Sequence, residues 1–229
     1  MKKAIVIGVY LFGLALLLSL GAWQLQRGQH KAQLEQRYEL GLQEPTLISG
    51  TQFGGLNNYQ RVSVEGQWQN QHSFLLQNRI HQGQVGVEVL TPFQPKEGEP
   101  FIINRGWVSA TELGSLEFIA RSKETTVTGT VYKPSKGVTI GESILDTATW
   151  PVDSLYFDMA AFSKQLERPL AEKVLVLQEA DTASLKKIWL PVTMSSTKHY
   201  GYAVQWFGLA ITFIIFGFIW FRSSFKNRG

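Results

Sequence analysis

Two long runs without charge constrain this chain more than any other feature of its sequence. Residues 4–25 and 200–221 contain no Asp, Glu, Lys or Arg, and each run covers 22 residues. At a helical rise of about 1.5 Å per residue, each run spans roughly 33 Å, enough for a hydrocarbon core of about 30 Å. The sequence therefore predicts two transmembrane helices, over residues 4–26 and 200–221.

The first run has some features of a secretory signal peptide. Lys2 and Lys3 precede it, and Ser19 and Gly21 form a weak small-x-small cleavage pattern. The run is nevertheless longer than the roughly 7–15 apolar residues of a signal peptide. An uncleaved membrane anchor is the favoured interpretation.

The distribution of charge predicts the orientation of the two helices. The basic excess of the chain lies at its two ends, in Lys2, Lys3, Arg222, Lys226 and Arg228, and residues 27–199 carry a net charge of −1. Basic residues in short tails mark the cytoplasmic side of a membrane. We expect cytoplasmic tails at residues 1–3 and 222–229 and a periplasmic domain at residues 27–199, in a protein of the cell inner membrane. The high isoelectric point then reports topology and does not indicate nucleic-acid binding.

Several kinds of chemistry lack the residues they need. The chain has no cysteine, which excludes disulfides, a cysteine nucleophile, thiolate metal sites and covalent CxxCH heme attachment. There is no HExxH, GxSxG or GxxxxGK motif, and the four histidines are not spaced as a helical metal clamp. The sequence predicts a protein that is not an enzyme. A two-span sensor is a weaker alternative, because only eight residues follow Phe221 and a partner would have to carry the output.

Between the two runs, the pattern predicts a β-rich domain. The first helix is expected to continue outward until Gly41 and Pro45 stop it. Residues 73–80, 85–94 and 100–109 alternate like strands and are joined by short Gly- or Pro-containing linkers, so they predict consecutive antiparallel hairpins. Further strands are expected at residues 59–68, 125–133 and 171–178, with a short helix at 158–168 capped by Asp158. The predicted fold class is two transmembrane α-helices flanking a β-rich α+β extracytoplasmic domain, built as a curved antiparallel sheet or small barrel.

The outer ends of the two predicted spans carry aromatic and basic residues at helical spacing. Trp23 and Arg27 are separated by four positions, and His199 is followed on its helix by Tyr202, Ala203, Trp206 and Ala210. One interpretation is an aromatic belt with snorkelling cations. The other is a pocket between the spans with an aromatic wall, one imidazole and one guanidinium. Such a pocket is compatible with heme, which combines an apolar macrocycle, an iron that accepts imidazole and anionic propionates.

Five motifs in order along the chain carry a family resemblance. They are G-x-W-Q-x-x-R from Gly21 to Arg27, NR-x-x-x-G-x-x-G from Asn78 to Gly86, TPF from Thr91 to Phe93, NRGWV from Asn104 to Val108, and H-x-x-Y-A-x-Q-W-F-x-L-A from His199 to Ala210. With these motifs the chain resembles the Surfeit locus protein 1 family, the membrane-anchored assembly factors of cytochrome c oxidase. The resemblance implies two transmembrane helices around an extracytoplasmic domain and a role in building the heme a-containing subunit I.

The resemblance also implies a site. In bacterial members heme a binding is attributed to the histidine that begins the last motif, which is His199 here. The family usually has asparagine just before that histidine, whereas this chain has Ser-Thr-Lys. We expect His199 to be the axial ligand of the heme iron, with Arg27 and Lys198 as propionate partners and with Tyr202, Trp206 and Trp23 as the aromatic wall. The expected partners are oxidase subunit I, membrane lipid and, as a second candidate, heme a synthase. A scaffold that stabilises an oxidase assembly intermediate without heme is the alternative.

For the motifs inside the β-domain, structural roles are favoured. Gly106 within a strand indicates a bulge or a close backbone approach. Trp107 is expected in the core. Arg79 and Arg105 are expected to be scaffold residues, with a partner-facing role as the alternative.

Overall fold

The computed structural model describes residues 2–41, 44–115, 124–134, 142–144, 149–178, 185–190 and 194–226. The chain forms two compact units. One combines Met1–Arg37 with Pro191–Gly229, and the other is Tyr38–Leu190. Arg228, one of the cations used above to predict orientation, lies outside the described residues.

Three α-helices and eight β-strands make up the described chain. In order they are α1 (Lys2–Gly41), β1 (Thr46–Ile48), β2 (Arg61–Trp68), β3 (Phe74–His81), β4 (Gln84–Pro95), β5 (Phe101–Ser109), β6 (Glu124–Tyr132), β7 (Val152–Ser154), α2 (Met159–Gln165), β8 (Val174–Leu177) and α3 (Ser196–Lys226). Helix α1 runs to Gly41, as predicted from the stop signals. The predicted cap of α2 is also confirmed, because a carboxylate oxygen of Asp158 accepts a hydrogen bond from the amide of Ala161 at 3.1 Å.

The first unit is an antiparallel pair formed by α1 and α3. Tyr10 near the start of α1 stacks on Phe213 in the second half of α3, with ring centroids 4.8 Å apart. Further along α1, Gly21 lies against Phe207. Both helices are long and apolar enough to cross a bilayer. The close approach at Gly21 depends on the missing side chain, since a Cβ there would lie 2.7 Å from the Phe207 ring.

The second unit contains a closed ring of five strands. Strand β2 pairs with β6, β6 with β8, β8 with β5, β5 with β4, and β4 again with β2 through Gly66–Trp68. The remaining strands extend this ring: β1 pairs with β2, β3 pairs with β4, and β7 pairs with β3. The predicted small barrel is therefore confirmed, and so are the two consecutive hairpins β3–β4 and β4–β5.

The sheet is mixed, so of the two predicted architectures, a curved antiparallel sheet or a small barrel, the structure matches the barrel. Strands β1 and β2, β3 and β7, and β5 and β8 are parallel pairs. Each of these pairs joins strands that are separated by a long connection along the chain. Short linkers force antiparallel neighbours, whereas a long crossover lets a later strand enter in either direction.

Alternation at the start of β5 directs side chains into two of the three apolar clusters that the described residues form. Phe101 and Ile103 of β5 belong to a cluster with side chains from all five ring strands, which therefore fills the barrel interior. Ile102 points to the other face and packs with Phe162 of α2. Burying a large apolar side chain contributes roughly 1.5–3 kcal/mol. The period of two that predicted these strands thus also decides which core each residue enters.

A bulge interrupts the pairing of β4 with β5 in the NRGWV motif. Val89 pairs with Gly106 and Leu90 with Asn104, so Arg105 is the extra residue. Gly106 has a φ of 123°, and a Cβ there would lie 2.8 Å from the carbonyl oxygen of Lys186. Both the bulge and the close approach predicted for Gly106 are confirmed, as is the core position of Trp107, which is fully buried.

Candidate functional site

His199 lies in the first turn of α3 and faces α1. The residue is 7% exposed. Its Nδ1 is 2.8 Å from Oε1 of Gln24 in α1. Gln24 lies between Gly21 and Gly28 on the face of α1 that packs against α3, where the two glycines contact Phe207 and Tyr200. The absence of side chains at these glycines lets the helices approach closely enough for the amide to reach the ring.

The contact with Gln24 selects one tautomer of the His199 ring. An amide oxygen can only accept a hydrogen bond, so Nδ1 carries the proton and donates it. In the neutral ring this leaves the lone pair on Nε2. Within the part of the chain that the structure describes, Nε2 has no hydrogen-bond partner. A histidine held in this way by its other nitrogen is typical of a metal-ligating imidazole.

A carboxylate from α1 fixes the start of α3. The two oxygens of Glu35 accept hydrogen bonds from the backbone amide of Ser196 at 3.0 Å and from its hydroxyl at 2.6 Å. The first amides of a helix have no partner within the helix, and they favour negative charge. Glu35 therefore stabilises the turn that carries His199 and fixes the position of this turn along α1.

The other predicted site residues are more exposed than His199. Trp206 is half-buried, and the four exposed residues are Trp23, Arg27, Lys198 and Tyr202. Among the described contacts, no hydrogen bond or ion pair joins any two of the predicted site residues. The structure thus places the imidazole in the helix interface and leaves the aromatic and basic side chains around it available to a ligand or to lipid.

The predicted face of α3 is partly buried in the interface with α1 and partly exposed. His199, Ala203 and Ala210 are buried, with exposures of 7%, 3% and 1%, whereas Tyr202 is 44% exposed. The small side chains of Ala203 and Ala210 in the buried part allow close helix packing. Tyr202 lies at the edge of the buried part and borders the surface next to His199.

Sequence reasoning missed Gln24 and Glu35 as parts of the site. A signal for Gln24 was present, because a polar residue inside an apolar span is by default a functional candidate. Its position between Gly21 and Gly28 also marked the packing face of α1. No local signal identified Glu35, since its contact with Ser196 joins residues 161 positions apart.

The motifs of the second unit converge on a buried polar cluster. Glu88 of β4 is 6% exposed and accepts a hydrogen bond from Nδ2 of Asn104 at 2.8 Å. Burial raises the pKa of the Glu88 carboxyl, and the positive charge of Arg79 opposes this shift. The Asn104 Oδ1 accepts from the amide of Gly106 at 3.0 Å, so this asparagine also holds the bulge.

The two arginines expected as scaffold residues have structural contacts. Arg105 donates through Nη1 to Oδ1 of Asn70 at 3.0 Å and lies over the Trp68 ring at 5.1 Å. The backbone carbonyl of Arg79 accepts from the Trp107 indole at 2.9 Å. These contacts connect the two arginine motifs to the barrel wall.

The fold and site define a class of protein: two apolar membrane-length helices, an interhelical histidine and a small mixed β-barrel. The profile of the SURF1 family matches residues 11–211. The chain belongs to the SURF1 family, which is known generally as a family of oxidase assembly factors.

Curated relatives agree with this family assignment. A SURF1-like protein of Rickettsia felis is 25% identical over 223 residues, covering 94% of this chain and 96% of the relative. A SURF1-like protein of Rickettsia conorii is 25% identical over 215 residues, covering 90% of this chain and 87% of the relative. A SURF1-like protein of Dictyostelium discoideum is 32% identical over 103 residues, covering 40% of this chain and 38% of the relative. The similarity to the first two covers nine-tenths or more of this chain.

Proposed function

We propose that this protein is a non-catalytic assembly factor for a heme a-containing cytochrome c oxidase, which binds or positions heme a for insertion into subunit I. The observation that carries this proposal is the tautomer of His199. The ring is held through Nδ1 by Gln24, so that the lone pair of Nε2 is available to an iron. Membership of the SURF1 family supports the oxidase as the assembly target.

The side chains around His199 fit a heme. When bound, heme a supplies an iron that accepts a neutral imidazole, an apolar macrocycle and two propionates that favour basic groups. His199 offers Nε2, and the exposed side of Tyr202 with the half-buried Trp206 offers an aromatic surface. Arg27 and Lys198 are exposed and can reach propionates, while Trp23 extends the aromatic surface on α1.

A single histidine ligand suits a protein that passes its cargo on. Two histidine ligands would hold an iron more firmly than one. The flanking residues here are exposed and make no described hydrogen bond with one another. Cargo held mainly by one imidazole, lipid-side aromatics and solvated cations is readily transferred to a site with stronger ligation.

In this proposal the protein lies in the cell inner membrane with both termini in the cytoplasm. The basic tails favour the cytoplasmic side, and the β-rich unit is then periplasmic. His199 at the start of α3 would lie at the outer boundary of the membrane. Subunit I is the proposed recipient, and heme a synthase is the proposed donor.

A second candidate function is a scaffold that binds the oxidase without heme. The size of the β-rich unit, Tyr38–Leu190, favours it, since a simple membrane anchor needs no such domain. A scaffold predicts that surface variants of the barrel lose co-purification with the oxidase whatever their heme content. Barrel variants that still co-purify but no longer load heme would contradict the scaffold.

The test of the heme proposal is the heme a content of the purified protein. Full-length protein is purified from cells that make heme a, as wild type, as His199→Ala and as Val204→Ala, an exposed position of the same helix that the motif leaves variable. We expect the heme a content of purified His199→Ala to be at least about tenfold lower than that of the wild type, because the iron loses its ligand. The Val204→Ala control should retain the wild-type content. Equal heme content in all three proteins would contradict the proposal.

A further inference from the structure

A cavity lies in the β-rich unit, which does not contain His199. It has a volume of about 680 Å³. Its walls come from the end of β2, the turn at Asn70–His72, Trp150 and the segment that follows α2. The lining is polar and contains tryptophans, side-chain amides, His72 and Arg168.

Within the part of the chain that the structure describes, Arg168 is the charged group of this cavity that has no counterpart. Its Nη2 is buried and has no hydrogen-bond partner among the described residues. No ion pair of Arg168 occurs in the described part of the chain either. A buried guanidinium nitrogen without a partner is costly, because it has lost water and gained nothing in exchange. Burial lowers the pKa of the Arg168 guanidinium, in agreement with this partial desolvation.

The chain places Arg168 in the cavity with a defined turn. After α2, the amide of Glu167 donates to the carbonyl of Lys164 and the amide of Arg168 donates to the carbonyl of Ser163, each at 3.1 Å. This is a Schellman motif, in which glycine usually occupies the left-handed position. Here Glu167 occupies it with a φ of 54°. A non-glycine residue in this conformation is disfavoured, so the turn is held by its surroundings.

His72 lines the same cavity as Arg168. His72 packs edge-on against Trp150, with ring centroids 4.9 Å apart. Burial lowers the pKa of His72, and the charge of Arg168 lowers it further. Arg105 lies behind the wall, bonded to Asn70 and over Trp68. Among the described residues of the lining, Glu167 is the one carboxylate, and it is exposed.

We infer that this cavity binds a small anion, a phosphate or carboxylate group, through Arg168 and the side-chain amides around it. A phosphate or carboxylate oxygen is the counterpart that a guanidinium takes in a bidentate pair. Gln69 and Gln71 supply further donors, and the flat faces of Trp68 and Trp150 accommodate an organic body attached to the anion. The inference does not depend on the proposed role of His199.

The test is an NMR titration of the full-length protein in detergent with inorganic phosphate and, separately, with acetate. Chloride keeps the ionic strength constant. The imidazole signals of His72 report on the cavity, and those of His81 serve as an internal reference, since His81 packs on Trp107 instead. We expect the His72 signals to shift and saturate with at least one of the two anions while those of His81 do not. Saturation with phosphate alone would assign a phosphate-bearing ligand, and saturation with acetate alone would assign a carboxylate.

Three variants decide whether Arg168 carries the binding. Arg168→Gln should weaken it about tenfold or more, because a charged donor is lost. Lys164→Gln removes the same charge from an exposed position of α2 and should leave the affinity unchanged. Glu167→Gln removes the carboxylate at the rim and should tighten binding. A His72 shift that never saturates, or equal affinities in the wild type and Arg168→Gln, would overturn the inference.

Discussion

At the scale of single residues, the pair Gln24–His199 gives the chain its most specific chemistry. The two residues are 175 positions apart, and their contact at 2.8 Å fixes which ring nitrogen is available to a ligand. In the Ser-Thr-Lys stretch that departs from the expected asparagine, Thr197 and Lys198 are exposed in the first turn of α3, whereas Ser196 is buried. Glu35 supplies hydrogen bonds to that turn from α1. The departure therefore leaves the support of His199 intact.

One prediction at this scale concerns the buried carboxyl of Glu88. Burial raises its pKa above the ordinary value of 4.5, and the opposing influence of Arg79 is smaller. The folded state then binds this proton more tightly than the unfolded state, so the wild type loses stability as pH rises through the raised pKa. Glu88→Gln, which keeps an acceptor for Asn104, should melt at a higher temperature than the wild type at pH 7. Near pH 4 the difference should vanish.

The measurement is thermal unfolding of the full-length protein in detergent, followed by tryptophan fluorescence at both pH values. Glu99→Gln, at an exposed position, is the matched control and should have no pH-dependent effect. A lower melting temperature for Glu88→Gln at pH 7, or the same difference at both pH values, would contradict the assignment of burial as the dominant cause.

Residue-level predictions from the sequence succeeded where the backbone determines the residue. Gly106 has a φ of 123° and a carbonyl beside it, a conformation that few residues other than glycine adopt. Trp107 follows it in the alternation of a buried strand. The sequence did not predict a role for Arg168. Its Nη2 has no hydrogen-bond partner among the described residues, and the cavity that it lines is formed by segments about 100 positions apart, so no local pattern indicates it.

At the scale of secondary-structure elements, the packing of α1 against α3 is the feature on which the site depends. We predict that Gly21→Ala destabilises this pair by about 1–3 kcal/mol, because the new Cβ would meet the Phe207 ring at 2.7 Å. Gly8→Ala is the control on the same helix, since nothing lies within 4 Å of its Cβ position. There alanine should be neutral or slightly stabilising. Melting temperatures in detergent measure both, and equal stability of the two variants would contradict the packing.

The strands were predicted most reliably where periodicity and turn signals coincide. Strands β3, β4 and β5 have clear alternation and short linkers, and their pairing was predicted correctly. Strand β1, with only three residues, was missed because it lies in a segment rich in Gly, Ser, Thr and Asn that is typical of loops. Its partner β2 is distant enough in the chain to permit parallel pairing, which no local pattern predicts.

At the scale of the whole molecule, the charge distribution predicts that the β-rich unit and the C-terminal end lie on opposite sides of the membrane. The natural chain has no cysteine, so single cysteines can be introduced without background. In spheroplasts, Gly114→Cys in the β-rich unit should react with a membrane-impermeant maleimide. Ser223→Cys should react only after lysis. Both positions are exposed. Labelling of Ser223→Cys in intact spheroplasts would contradict the proposed topology.

The heme proposal is tested most directly by the absorption spectrum of the bound heme in the His199→Ala protein. The variant and the wild type are purified and incubated with equal amounts of heme a, and the Soret band is recorded before and after addition of imidazole. We expect the variant to lose the wild-type band and to regain it when free imidazole occupies the space left by the ring. An unchanged Soret band in His199→Ala without imidazole would show that His199 is not the iron ligand.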